Sequence, residues 1–256
     1  MLEGRAYIVT GGSRGFGLAI AQRLVAAGAR VGITGRDAQA LETAVASLGE
    51  TQAMGVVADI GSRDAVTRAF SQIHAQFGRL DGVINNAGLA RPNKIEKLDE
   101  LEVSLQVQTN FIGTVNGCQV AIGLLRESDN PRIINISSAS AWHYDEMSHL
   151  SIYAATKAAV ERFSRDLYLE LQHDNIGVTC IRPGGAMTSF ANDWELEPAT
   201  AALTAWLDSG TYMSTGMDTE HVADAVCYAL AQPPGVAVDL LEVRPNRLSP
   251  KQAFEQ

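Results

Sequence analysis

Short continuous apolar runs alternate along the chain with longer stretches whose apolar positions recur every three or four residues. AYIVT at 6–10 is followed by FGLAIAQRLVAAG from 16, VGITG from 31 by DAQALETAVASLG, and MGVVAD by SRDAVTRAFSQIHAQFG. The runs have the length of buried strands, and the stretches have the period of amphipathic helices. LDGVINNAG, a long helix around 100–126, RIINISS, a helix from about 152 to 173 and GVTCIRPG continue the alternation. Strand and helix in regular succession predict an α/β fold with helices on both faces of a parallel sheet, because consecutive parallel strands need right-handed crossovers.

Beyond Pro183 the pattern changes. Residues 188–216 lack a strand period and mix aromatics, acids and helix caps, which predicts two short helices over the C-terminal edge of the sheet. A last helix near 218–232 precedes a strand candidate, VAVDLLEVRP, at 236–245. No repeat, linker or low-complexity tract divides the chain, so residues 1–256 are read as one domain, with 188–216 as a lid over the substrate site.

The composition excludes several functions. With 46% hydrophobic and 19% charged residues the chain can bury a large core. A net charge of −9 without a run of lysine or arginine offers no stripe for nucleic acid. No apolar run approaches a membrane span or a secretory signal, so a cytoplasmic protein is expected. Cys118, Cys180 and Cys227 are widely spaced and odd in number, and read as small buried residues rather than as disulfides or metal ligands. His143, Asp145, Glu146 and His149 lie near one another but match no helical ligand pair, and no metal is expected.

The chemistry begins immediately after the first strand. In TGGSRGFG, Gly11, Gly15 and Gly17 fall at a turn and at the opening of a helix, with Ser13, Arg14 and Phe16 between them. Missing side chains let backbone approach a pyrophosphate, and a helix N-terminus favours its charge. The spacing TGxxxGxG departs from GxGxxG and resembles the phosphate loop of the short-chain dehydrogenase/reductase family. Asp59 in VVADI, NNAG at 85–88, Asn110, Ser138 in INISS, YAATK at 153–157 and RPGGAMT at 182–188 follow in the family's order. The resemblance spans about residues 5–190 and implies a Rossmann-type doubly wound sheet of about seven strands. It also implies cofactor contacts at Asp59, Ile60, Asn86, Ala87, Gly88, Pro183, Gly184, Met187 and Thr188.

The second strand ends on Gly35 and Arg36 rather than on an acid. An arginine there accommodates a ribose 2′-phosphate, and Arg14 adds a second guanidinium, so NADP(H) is preferred over NAD(H). Asp37 is positioned to neutralise Arg36.

Tyr153 and Lys157 are four apart on a helix and share a face. A cation beside a phenol lowers its pKa from about 10 and suits it to general acid/base work. The resemblance implies that Lys157 also holds the nicotinamide ribose, that Ser138 orients the substrate oxygen, and that Asn110 supports a water chain to the lysine. Fifteen positions separate Ser138 from Tyr153, more than is usual in the family, so Ser140 competes for the orienting role.

Three loops, 89–96, 139–151 and 188 to about 215, are expected to face the substrate, a small carbonyl or alcohol. They offer Arg91 as an anchor for a carboxylate and an aromatic wall from Trp142, His143, Tyr144, Met147, Phe190, Trp194 and Trp206. Asp193, Glu195 and Glu197 read as a solvated face. Two rivals to a reductase are a cofactor-sensing protein without turnover and a cofactor-retaining epimerase or dehydratase on the same fold. The apolar faces of the helices near 100–126 and 152–173 resemble those that pair subunits in the family's dimers and tetramers, which implies a homodimer or homotetramer.

Overall fold

The computed structural model of the protein describes residues 2–143, 148–186, 188–208 and 216–246. Seven strands form one parallel sheet: β1 (Ala6–Thr10), β2 (Arg30–Gly35), β3 (Ala53–Val57), β4 (Gly82–Asn85), β5 (Arg132–Ile136), β6 (Gly177–Pro183) and β7 (Leu240–Val243). Their order is β3-β2-β1-β4-β5-β6-β7. The chain builds outward from β1 to β3, then returns to the other side of β1 with β4. At that reversal, outside the carboxyl ends of β1 and β4, open α/β sheets have their ligand-binding crevice.

Strand alternation divides the core into two layers. Tyr7 and Val9 join Ile33, Ile84 and Ile134 beneath α1 (Gly15–Ala26), α2 (Ala38–Leu48) and α8 (Thr219–Leu230). Ile8, Val83 and Ile133 point the other way, toward Phe70 and Ile73 of α3 (Arg63–Phe77), Leu125 of α5 (Gly113–Leu125) and Leu167 of α6 (Ser151–Glu170). Central strands such as β1, β4 and β5 are buried throughout, which is why they read as continuous apolar runs.

Three elements differ from expectation. The helix around 100–126 is α4 (Glu100–Val107) and α5 joined through a π-helical turn at Gln108–Ile112. The wider turn follows from the tertiary bonds that fix Asn110 within it. Among the described residues of the 188–216 segment, a short 3₁₀ turn at Ser189–Ala191 precedes one helix, α7 (Leu196–Asp208). The last strand covers only Leu240–Val243 of the expected 236–245. Buried Arg132 claims the preceding carbonyls instead, donating to Val236, Gln232 and Pro233 at 2.6, 2.8 and 2.8 Å. Among the described residues no helix is long and apolar enough to cross a membrane.

Candidate active site

The passage from β1 into α1 forms the floor of the crevice. Gly11 and Gly15 have φ of +64° and +55°, a region in which side chains are strained. Gly17 sits directly on this turn: a Cβ there would strike the Gly11 carbonyl and lie 2.6 Å from Asn86 Nδ2. Thr10 Oγ1 accepts from the N–H groups of Asn86 and Ala87 at 3.0 and 3.1 Å, and Asn86 Nδ2 donates to the Thr10 carbonyl at 2.9 Å. These bonds lock the loops after β1 and β4 together. The sequence reading did not single out Thr10 for this bracing, although it stands at the start of the TGG motif. Arg14 at the N-cap of α1 makes no side-chain cap, so the first helix amides stay available to a ligand. Bare backbone at a helix N-terminus fits a pyrophosphate.

At the end of β2, Ser13 Oγ lies 3.7 Å from the position of a Cβ on Gly35, so loop and strand end are neighbours. The Arg36 side chain is exposed, and its guanidinium forms no ion pair among the described residues. Asp37, expected to be able to neutralise it, caps α2 by accepting from the Ala40 N–H at 3.1 Å. Arg14 instead pairs with Asp193 at 2.6 Å. Asp59 is exposed and accepts from the Gly61 N–H at 2.9 Å, whereas Ile60 is buried against Gly113.

On the other side of the crevice, a Cβ at Gly88 would lie 3.3 Å from Lys157 Nζ and 3.4 Å from Asn110 Oδ1. Asn110 is fully buried, and its side chain is committed to Leu89 and Thr156 rather than to the lysine. Lys157 Nζ donates to the Ile136 carbonyl at 2.8 Å and lies 5.8 Å from the Tyr153 ring centroid. Thr188 rests against Gly15, 3.7 Å from the position of a Cβ there. Pro183 closes β6, and the Gly184 N–H donates to the Val243 carbonyl at 2.8 Å. Met187 lies outside the described residues.

The electrostatics differ from the sequence expectation. Burial pushes the Tyr153 phenol up to about 12, opposed by hydrogen bonding with Ser138. Burial also pulls the Lys157 ammonium down to about 8. Desolvation of the enclosed phenol is the larger of the two influences on Tyr153, and hydrogen bonding with Ser138 is the smaller. Ser138 hydrogen bonds with Tyr153, and Ser140 donates to Ser138 Oγ at 3.0 Å.

The aromatic wall is narrower than the sequence suggests. Phe190 lies 5.4 Å from the Tyr153 ring, Trp194 5.9 Å from Phe190, and Trp206 6.3 Å from Trp194. The indole nitrogen of Trp194 is buried and has no hydrogen-bond partner among the described residues. Trp142 instead lies 59% exposed over the Arg182 guanidinium, and the His143 ring is held by Glu242 at 2.7 Å and by Arg244. The Arg91 guanidinium donates to the Ala90 carbonyl, and its N–H to Gln106. Tyr144 and Met147, with Asp145 and Glu146, lie outside the described residues.

Comparison with known proteins gives the following. Residues 5–199 match the family model for short chain dehydrogenases. The chain is 32% identical over 245 residues to an uncharacterized oxidoreductase of Staphylococcus aureus (strain MW2), covering 96% of this chain and 99% of the relative. It is similar in structure to 3-ketoacyl-(acyl-carrier-protein) reductase from Brucella melitensis complexed with NADH, with a TM-score of 0.84, 26% identity, and coverage of 96% of this chain and 99% of the other. A serine dehydrogenase in its closed form, complexed with NADP+, gives a TM-score of 0.80 at 26% identity, with coverage of 98% and 97%.

Proposed function

The chain belongs to the short-chain dehydrogenase family, and on that premise we propose that it is an NADP(H)-dependent oxidoreductase interconverting a carbonyl and an alcohol. Tyr153 is the general acid/base in this reading, assisted by Lys157, Ser138 and Asn110. The observation that carries it is the meeting of a buried phenol with Ser138 and Lys157 beside a glycine loop whose amides are free to hold a pyrophosphate.

When bound, the nicotinamide supplies or takes the hydride. In reduction, Ser138 orients the substrate oxygen and Tyr153, which keeps its proton at neutral pH, delivers that proton to the oxygen. The Lys157 ammonium then balances the phenolate left behind. Asn110 holds the loop after β4, and with it Gly88, at the distance that leaves room beside Lys157. Thr188, which lies against Gly15, would contact the cofactor in this reading.

The NADP(H) preference is supported by the exposed Arg36 and by Asp37 being spent on a helix cap. The reading takes 188–216 as a lid on a single domain and Phe190, Trp194 and Arg91 as its substrate contacts. It also takes the protein to be a cytoplasmic homodimer or homotetramer.

NADPH and NADH binding by fluorescence, followed by oxidation of the preferred cofactor against aldehydes, aryl ketones, diketones and 3-oxo acids, tests the function. Tight NADPH binding with turnover is expected. Binding without turnover on any carbonyl would favour the sensing protein instead, and no binding would remove the glycine-loop argument.

A further inference from the structure

Arg14 and Asp193 are 179 positions apart in the chain, yet Arg14 Nη2 donates to Asp193 Oδ2 at 2.6 Å. Arg14 belongs to the glycine loop, and Asp193 lies between the 3₁₀ turn at Ser189–Ala191 and α7. The pair therefore joins the floor of the cofactor crevice to the segment above it. The neighbouring residue, Trp194, continues the aromatic series that runs from Tyr153 through Phe190, so the ion pair fastens the same segment that covers the phenol.

Three guanidinium groups act on this one carboxylate. The hydrogen bond from Arg14 holds Asp193 below the usual carboxylate range, and the charges of Arg14, Arg91 and Arg36 add to it. Asp193 is thus the acidic centre of a basic patch assembled from the glycine loop, the end of β2 and the loop after β4. A 2′-phosphate would seek the same guanidinium groups, with more charge and more acceptor oxygens than a carboxylate.

We propose that Asp193 is a specificity-determining residue of the cofactor site, whose carboxylate competes with the ribose 2′-phosphate of NADP(H) for Arg14. A cofactor carrying that phosphate takes Arg14 from Asp193 and frees the covering segment from the glycine loop. A cofactor without it leaves the ion pair closed. The inference rests on the NADP(H) reading above and adds to it a residue that opposes the preference.

Both side chains are about half exposed, at 56% and 52%, so the competition is modest. The test measures NADPH and NADH dissociation constants by fluorescence for wild type, Asp193→Asn, Asp193→Ala, Arg14→Ala and the Arg14→Ala/Asp193→Asn double variant. Displacement by adenosine 2′,5′-bisphosphate and by AMP isolates the phosphate. Both Asp193 variants are expected to bind NADPH and the bisphosphate about threefold more tightly, with NADH and AMP changed far less. In the Arg14→Ala background the Asp193 substitution should have no such effect. The tryptophan emission of wild type should shift with the bisphosphate and not with AMP, and that shift should be lost in Trp194→Phe.

Unchanged NADPH affinity in both Asp193 variants, or an equal change for NADPH and NADH, would overturn the competition while leaving the cofactor preference standing. A wild type that binds NADH as tightly as NADPH and ignores the bisphosphate would overturn the NADP(H) reading and the competition with it. Circular dichroism of each variant confirms that folded proteins are compared.

Discussion

Asn110 and Leu89 form a reciprocal pair: the Leu89 N–H donates to Asn110 Oδ1 at 2.9 Å, and Asn110 Nδ2 donates to the Leu89 carbonyl at 2.9 Å. One buried side chain thereby does for the loop after β4 what a neighbouring strand would do. The same Nδ2 reaches Thr156 Oγ1 at 3.0 Å, which ties the loop to the helix carrying Tyr153 and Lys157. The π-helical turn at Gln108–Ile112 brings the side chain to this point.

Asn110→Ala should leave the Leu89 N–H and carbonyl without this partner in a partly buried place, while the Thr156 hydroxyl keeps its bond to the Tyr153 carbonyl. Such a loss costs about 2 to 4 kcal/mol of stability. Urea unfolding followed by circular dichroism measures it, and a loss below about 0.5 kcal/mol would mean that the loop is held by other contacts.

Tyr153→Phe removes the transferable proton and little else, since the ring can keep its contact with Phe190. Turnover should fall by about 10²- to 10⁴-fold, while NADPH affinity stays within about twofold. Stopped-flow oxidation of NADPH with a reactive carbonyl, alongside fluorescence titration, separates the two. Unchanged turnover would remove Tyr153 from the chemistry.

Gly17→Ala places a methyl against the Gly11 carbonyl and 2.6 Å from Asn86 Nδ2. The glycine loop must move, so cofactor affinity is expected to fall by at least about tenfold, equivalent to about 1.4 kcal/mol, with helical content retained. Isothermal titration with the preferred cofactor reads this directly. Wild-type affinity would show that the cradle does not depend on the close approach.

Lys157 carries a pH signature. Its folded pKa of about 8 lies below the ordinary lysine value of 10.5, so between these limits the unfolded chain holds a proton that the folded one has released. Stability therefore rises with pH across that window, and the cost of the buried ammonium is fully present below pH 8. Relative to Lys157→Met, wild type should gain about 2 kcal/mol between pH 8 and pH 9.5. Tyr153, raised to about 12 from 10.0, titrates above this range. Parallel pH dependence of the two proteins in urea unfolding would show that Lys157 is not desolvated.

Much of the fold is legible in sequence because a parallel strand buried on both faces is apolar at most of its positions. Tyr7, Ile8 and Val9 belong to two different layers, yet all three are hydrophobic. The glycine loop is legible for a similar local reason, since TGGSRGFG places its glycines where backbone must turn or approach closely. The seven strands and the family follow from such signals.

What the tertiary structure decided depends on partners distant in the chain. Nothing near Asp37 tells whether it will neutralise Arg36 or cap α2, and nothing near Asp193 points to Arg14. His143 and Trp142 look like pocket residues from their loop, but the carboxylate of Glu242 and the guanidinium of Arg182 claim them. The Tyr153 phenol is likewise pushed up by burial, which its neighbours in sequence do not reveal. Periodicity and backbone sterics are local and can be read along the chain, whereas burial, desolvation and the choice among charged partners exist only once the chain has folded.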